Sequence, residues 1–377
     1  MLLKDNEYLF SNNFVKTENW YHSCTHSEST LHQLSPYIGK LKSSIASDLI
    51  RTFSKPGDLV VDPFSGSGTI PLESALLGRR VFAADISPYS KILTKAKLNV
   101  PLNLENALAQ AEKLLDTANT LPEPDLQDIP TWVRDFFHPQ TLLDALRFAA
   151  IAREEGNEFW LACFMGILHH ERPGFLSYPS SHLVPYLRDK KYPKDLFPWM
   201  YAYKEIRPRL IAKIKRIYKR FGGFSVPVEW TFNACPIESV VFPETFDCLI
   251  TSPPYMNALD YVRDNRLRLW FIHPDGDNQG NNRVIREKKA FHEAIAILCQ
   301  KTNIHLKRGG FCILVVGEKL VGSKNTELSQ DICHIVKEKA PNLVLLSIIK
   351  DNIPDIRRAR RNCKATKTEH ILVFRKI

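Results

Sequence analysis

The stretch that most restricts the fold is Leu59-Val-Val-Asp62, followed at once by Pro63-Phe-Ser-Gly-Ser-Gly-Thr69. The apolar run reads as a short buried strand, and Gly66, Ser67 and Gly68 break it into a loop. Ile70 to Leu77 resumes as a helix that Gly78 ends. Val81-Phe-Ala-Ala-Asp85 reads as a second strand, and Ser90 to Leu98 as a second helix. This order, strand then glycine loop then helix then strand, opens a parallel sheet wound on both faces. The expected class is α/β, a doubly wound, Rossmann-like, mostly parallel sheet.

Upstream, Leu41, Ile45, Leu49, Ile50 and Phe53 fall on one helical face. Beyond residue 103 the alternation stops. Glu105 to Ala118 is amphipathic, Leu121 to Pro130 is a linker, helical periods fill Gln140 to His169, and a basic helix spans about Tyr203 to Phe221. Strand signals return at Glu229 to Phe232, Phe246 to Thr251 and Phe311 to Val316. Leu343 to Ile349 and His370 to Phe374 are expected to form an antiparallel pair at the sheet edge. The expected division is a polar arm over 1–35, a catalytic domain over 36–103 and 226–377, and an inserted helical domain over 104–225, read as the target-recognition part.

The glycine loop suits a ligand. Gly66 and Gly68 permit positive φ and close approach of backbone, and the following helix N-terminus favours an anion. The spacing is not that of a dinucleotide fingerprint, and no Gly-Lys-Ser/Thr follows, which excludes a P-loop. Asp85 ends the next strand, where an acid can grip ribose hydroxyls. A second loop, Thr251-Ser-Pro-Pro-Tyr255, also follows a strand. Consecutive prolines make it rigid. Ser252 and the carbonyl of Pro253 offer two acceptors for an amino group, and Tyr255 offers a ring face for a base.

Together these two loops resemble those of the amino-directed DNA methyltransferases, which act on cytosine N4 or adenine N6. The resemblance covers roughly residues 30–100 and 228–377. It implies that Asp62, Pro63, Phe64, Gly66, Ser67, Gly68 and Thr69 bind S-adenosylmethionine, with Asp85 and Ile86 at its nucleoside. Ser35-Pro-Tyr-Ile-Gly-Lys40 resembles the segment near the cofactor's methionine end. It also implies catalytic roles for Ser252, Pro253, Pro254 and Tyr255. Where the family commonly has Asp-Ala after the third strand, this chain has Asn233-Ala234, whose amide can still accept from adenine. Ser rather than Asp before Pro-Pro points to cytosine N4. Adenine N6 is the alternative, followed by guanosine N2 in RNA and by a catalytically dead DNA-binding protein. C5 methylation needs a thiolate in a Pro-Cys context, and no such dipeptide occurs.

Lys and Arg total 51 against 41 Asp and Glu, and the resulting formal charge of +10 suits a polyanion. Lys213, Arg216 and Arg220 on the basic helix, Arg263, and Arg357, Arg358, Arg360 and Arg361 are expected to hold double-stranded DNA whose target base is flipped out. A companion restriction endonuclease belongs to the same expectation, and the oligomeric state is left open. The eight cysteines contain no C-x-x-C pair, no metal is expected at His22, Cys24, His26 and His32, and no stretch has the length of a membrane span. A reducing cytoplasm is the expected setting.

Overall fold

Val60 and Val61 face opposite sides of one strand, and two separate cores grow from them. A computed structural model describes residues 20, 28–179, 191–254, 261–274, 288–318, 320–321, 324–325, 328–353 and 368–377. The first half contains α1 (Ser43–Phe53), β1 (Leu59–Asp62), α2 (Thr69–Leu76), β2 (Arg80–Ala84) and α3 (Pro88–Leu98). Next come α4 (Leu104–Thr120), α5 (Thr131–Arg134), α6 (Pro139–Glu154), α7 (Glu158–Leu168) and α8 (Ile206–Ile217). The chain then returns to the sheet with β3 (Trp230–Asn233), β4 (Phe246–Thr251), α9 (Tyr261–Asp264), α10 (Arg266–Ile272), α11 (Lys288–His305) and β5 (Leu306–Glu318). A small hairpin, β6 (Leu320–Val321) and β7 (Lys324–Asn325), precedes α12 (Leu328–Lys339), β8 (Leu343–Asn352) and β9 (Thr368–Lys376).

The sheet has seven strands in the order β3-β2-β1-β4-β5-β9-β8. The five from β3 to β5 are mutually parallel, whereas β9 runs antiparallel to both β5 and β8. This is the doubly wound, Rossmann-like architecture expected from the sequence, and its last two strands form the expected antiparallel pair. One core packs Val60, Cys248, Ile250, Ile313 and Val373 against Ile45, Leu49 and Ile50 of α1. The opposite core packs Val61, Leu249, Cys312 and Leu314 against α11 and α12. Alternation with period two thus explains why Val60–Val61 of β1, Cys248–Ile250 of β4 and Phe311–Val316 of β5 are apolar on both faces.

The helices of residues 104–217 share one core with the sheet's own α3. Tyr89, Ile92, Leu93 and Ala96 pack with residues of α4, α6, α7, α8 and α10. Residues 28–35, at the end of the expected polar arm, are folded into this body. Thr30, Leu31 and His32 are buried, and the Thr30 hydroxyl donates to the Ile217 carbonyl at the end of α8. Trp20 is also fully buried and donates from Nε1 to Asp48 of α1 at 2.6 Å. Among the described residues no helix is long and apolar enough to cross a membrane.

The tightest joint between α7 and the segment before α1 is Gly166. A Cβ there would lie 2.2 Å from the Leu34 carbonyl oxygen and 2.7 Å from Cε of Lys213. In an ordinary helix interior, glycine to alanine gains about 1 kcal/mol. Here the sign reverses, because overpacking against backbone costs more than propensity returns. Gly166→Ala is expected to destabilise the protein by about 2 kcal/mol, read as a lower denaturant midpoint at unchanged m-value.

Candidate active site

The two loops meet because their strands are neighbours. β1 pairs in parallel with β4 through Val60↔Cys248 and Val61↔Leu249, so Asp62 and Thr251 end side by side on the same sheet edge. The Thr251 hydroxyl donates to Asp62 Oδ1 at 2.6 Å, and both side chains are buried. From β1 the chain winds outward to β2 and β3, then returns to the other side of β1 as β4. In sheets of this kind such a reversal marks the usual ligand position, at the strands' carboxyl ends.

Within the glycine loop, Gly66 and Gly68 adopt φ of 49° and 71°. Gly68 also needs its missing side chain, since a Cβ would sit 2.8 Å from the Thr94 hydroxyl. The Gly66 amide donates to Asp85 Oδ2 at 2.8 Å, and the Ser87 amide donates to the other carboxylate oxygen at 2.8 Å. Asp85 therefore sits just past β2 with its carboxylate fixed against the loop. Ser67 and Thr69 are buried, with their hydroxyls 2.9 Å apart. Pro63 is buried, while Phe64 and Gly66 are partly exposed. Ile86 beside Asp85 is 37% exposed, unusual for a large apolar side chain next to a packed loop. At the end of β3 the Asn233 carbonyl accepts from the Asp85 amide at 3.2 Å, and its side chain is half-buried.

Burial raises the Asp62 carboxyl to about 7, against the bonds from Thr251 and the Phe64 amide, and nearby Asp85 adds to the rise. Burial also raises Asp85, opposed by the Ser87 and Gly66 amides. Two carboxyls held above their ordinary range at one edge favour a ligand that brings positive charge and hydroxyl groups.

On the second loop, Ser252 and Pro254 are half-buried and Pro253 is buried. Tyr255 lies outside the described residues, as do Arg357, Arg358, Arg360 and Arg361. α9 and α10 follow this loop. Arg263 on α9 is exposed, whereas Arg268 on α10 is buried, donating to the His169 carbonyl at 2.6 Å and lying over the Tyr89 ring. Lys40, expected near the cofactor, donates to the His32 carbonyl at 3.0 Å. His32 itself pairs with Glu73 at 2.6 Å.

The basic helix requires a correction. Lys213, expected as a DNA contact, is buried and donates to the Gln33 carbonyl at 2.7 Å. It lies on the apolar face of α8 with Leu210, Ile214 and Ile217 and ties the helix to the segment before α1. Lys204 is likewise buried, and Arg207 is paired with Glu112 and Asp116 of α4. Arg216 is exposed, together with Lys215 and Lys219. Arg220 is half-buried, with Nε donating to the Glu28 carbonyl at 3.1 Å. Counting charges along the helix could not separate these roles, because long basic side chains can carry their stems across apolar surface.

Sequence reasoning also missed the face of α3 beneath the loop. Ser90, Thr94 and Lys97 are all buried. They share one helical face at i, i+4 and i+7, but α3 also contains Lys91 and Lys95, so the sequence did not separate a buried polar face from a solvated one.

Residues 5–95 match the family model for the N6/N4 DNA methylases. That stretch of the chain is similar to the amino-directed DNA methylases. It is 24% identical over 275 residues to the type II methyltransferase M.BsoBI of Geobacillus stearothermophilus, covering 65% of this chain and 53% of that one. It is 31% identical over 68 residues to the type II methyltransferase M.MjaII of Methanocaldococcus jannaschii, covering 18% and 13% respectively. The chain thus spans about half, or less, of the length of these curated relatives. Among solved structures, TrmN from Thermus thermophilus aligns with a TM-score of 0.33 at 12% identity, covering 90% of this chain and 50% of that one. The residues at this edge would suit S-adenosylmethionine: buried carboxyls for an ammonium and a ribose diol, and partly exposed apolar surface at Ile86 and Phe64 for a purine.

The bond from Thr251 is the main polar support of the buried Asp62 carboxylate. Thr251→Val keeps the shape and removes the donor. The variant is expected to lose about 2 kcal/mol of stability, the range for hydrogen bonds to charged groups. The donor lowers the Asp62 pKa, so its removal raises it further. The loss should therefore be larger at pH 8.5, where Asp62 is ionised, than at pH 5.5, where it is protonated. Urea denaturation at the two pH values measures the difference.

Proposed function

We propose that this chain transfers a methyl group from S-adenosylmethionine to the exocyclic N4 amine of cytosine in DNA. The observation that carries this reading is the hydrogen bond between Thr251 and Asp62, which brings the ends of two strands bearing the glycine loop and the Pro-Pro loop to one edge. Ser252, in place of an acid before Pro253-Pro254, supports cytosine over adenine.

In this reading Asp62 and the Gly66–Gly68 backbone hold the methionine end, while Asp85 accepts from the ribose hydroxyls. Ile86 would cover the adenine and Asn233 would accept from its amino group, with Lys40 toward the methionine end. Bound there, S-adenosylmethionine supplies an electrophilic methyl on a sulfonium. The target base leaves the duplex at a cost of a few kcal/mol, on the order of an unstacking step, and Tyr255 stacks on it. Ser252 Oγ and the Pro253 carbonyl accept the two N–H bonds of the amine, and Pro254 keeps the turn rigid. These acceptors would localise the nitrogen lone pair toward the electrophilic methyl that the cofactor would supply. They also stabilise the positive charge that develops on nitrogen. The surplus proton leaves to water. Alignment accounts for most of the rate, and no strong base is needed.

Residues 104–225 act as the target-recognition part in this reading. Arg216, Arg220 and Arg263 face the DNA backbone, joined by Arg357, Arg358, Arg360 and Arg361. A partner restriction endonuclease and a cytoplasmic setting follow from the same proposal.

Incubation with labelled cofactor, mixed-sequence DNA and, separately, RNA, then nucleoside mass spectrometry, should yield N4-methyl-2′-deoxycytidine. N6-methyl-2′-deoxyadenosine would transfer the assignment to adenine, and label confined to RNA would overturn the substrate. Ser252→Ala should lower kcat by about 100-fold or more, in the range for a lost transition-state hydrogen bond, with cofactor Kd nearly unchanged.

Cofactor binding should depend on pH through Asp62. The ionised carboxylate attracts the ligand's ammonium, and its folded pKa of about 7 leaves it mostly protonated below neutrality. Affinity is therefore expected to rise by up to about tenfold per unit as pH climbs from 5.5 toward 7. Asp62→Asn should flatten that rise in calorimetric titrations. On the DNA side, Arg216→Ala should weaken binding to all sequences alike and lower the salt slope by about 0.9.

A further inference from the structure

α3 presents one buried polar face to the glycine loop. Ser90, Thr94 and Lys97 line it at i, i+4 and i+7, each at most 2% exposed. The Tyr37 and Ser90 hydroxyls are 3.5 Å apart, and a Cβ on Gly66 would meet that Tyr37 hydroxyl at 3.4 Å. The Thr94 hydroxyl is 3.3 Å from that of Ser65 and closes the space above Gly68. Lys97 Nζ donates to the Ser67 carbonyl at 2.5 Å. Ser67 lies between the two positive-φ glycines, so its peptide orientation helps set which way the loop's backbone groups point.

We propose that Lys97 is a positioning residue for the cofactor, its ammonium holding the Ser67 carbonyl inward so that the loop presents a preformed surface to S-adenosylmethionine. This rests on the assignment of the loop to the cofactor. The surroundings make the lysine a costly way to fill a helix face. Burial, reinforced by Lys40, lowers its pKa to about 7, with Glu28 and Glu73 opposing. The same pocket contains His32, bonded to Glu73 on the helix that leaves the loop, and Lys40, bonded to the His32 carbonyl. A buried cation in such a place is weak support for stability, and an apolar residue of similar length would stabilise the fold as well or better. What an apolar residue cannot do is orient a carbonyl.

The two roles separate on opposite signs. In Lys97→Met, melting temperature should be unchanged or higher. Calorimetric Kd for S-adenosylmethionine should weaken by about 10-fold or more, as expected when a charge-assisted hydrogen bond is lost. Kd for DNA should stay within about twofold, and in turnover KM for the cofactor should rise while kcat holds, as for loss of uniform binding. Lys97→Gln retains a donor and should recover part of the affinity; it also serves if the methionine variant does not fold. A folded variant with wild-type cofactor affinity would overturn the proposal. So would a lowered melting temperature with cofactor and DNA affinities reduced alike, which would mark a structural role. Failure of the wild-type protein to bind S-adenosylmethionine would instead sink the assignment of the loop itself.

Discussion

The site depends on one buried hydrogen bond, from the Thr251 hydroxyl to the Asp62 carboxylate. It closes the end of the β1–β4 pair where a parallel sheet would otherwise leave two strand termini to diverge into separate loops. Asp62 is 3% exposed, and a carboxylate there is stable only with donors facing it. Thr251 and the Phe64 amide are those donors, 189 and 2 residues away in the chain. The fold thus accepts an unfavourable buried acid at the junction of the two loops, and that acid is held near neutrality and ready to answer a cationic ligand.

From this junction the rest of the molecule is arranged in shells. α1 covers one face of the sheet and α11 and α12 the other. α3 lies against the glycine loop and also anchors the helices of residues 104–217, so the loop's floor and the helical block share one core. Arg268 extends the link. It follows the Pro-Pro loop in sequence, bonds the carbonyls of Met165 and His169 at the end of α7, and lies over Tyr89 of α3. Through it the second loop, the helical block and the floor of the first loop are mechanically connected. The expected inserted unit is in this sense a wall of the same body, built on a helix of the sheet domain.

Much of this was legible in the residues. The strands β1, β2, β4 and β5 were readable because both faces are buried, which demands continuous apolar runs. The glycine loop was readable because only glycine tolerates φ of 49° and 71° at close quarters. The last two strands were readable as an antiparallel pair, and the acid after β2 fell at the expected end. The sequence was less informative wherever a charged residue is buried. Lys213 belongs to a helix whose charge count pointed outward, yet its bond to the Gln33 carbonyl joins segments 180 residues apart. Lys97 and His32 were equally opaque, because their partners lie on other elements.

The amino-acid order by itself determined the class of fold, the two loops and the residue types they offer, because backbone conformation and hydrophobic period are local properties. Only the tertiary structure decided that those loops share an edge, that Lys97 supports one of them from below, and that part of the basic helix faces inward. Those outcomes follow from strand order and helix packing. Such contacts join residues far apart in the chain, and no local pattern encodes which distant partner a buried polar group will meet.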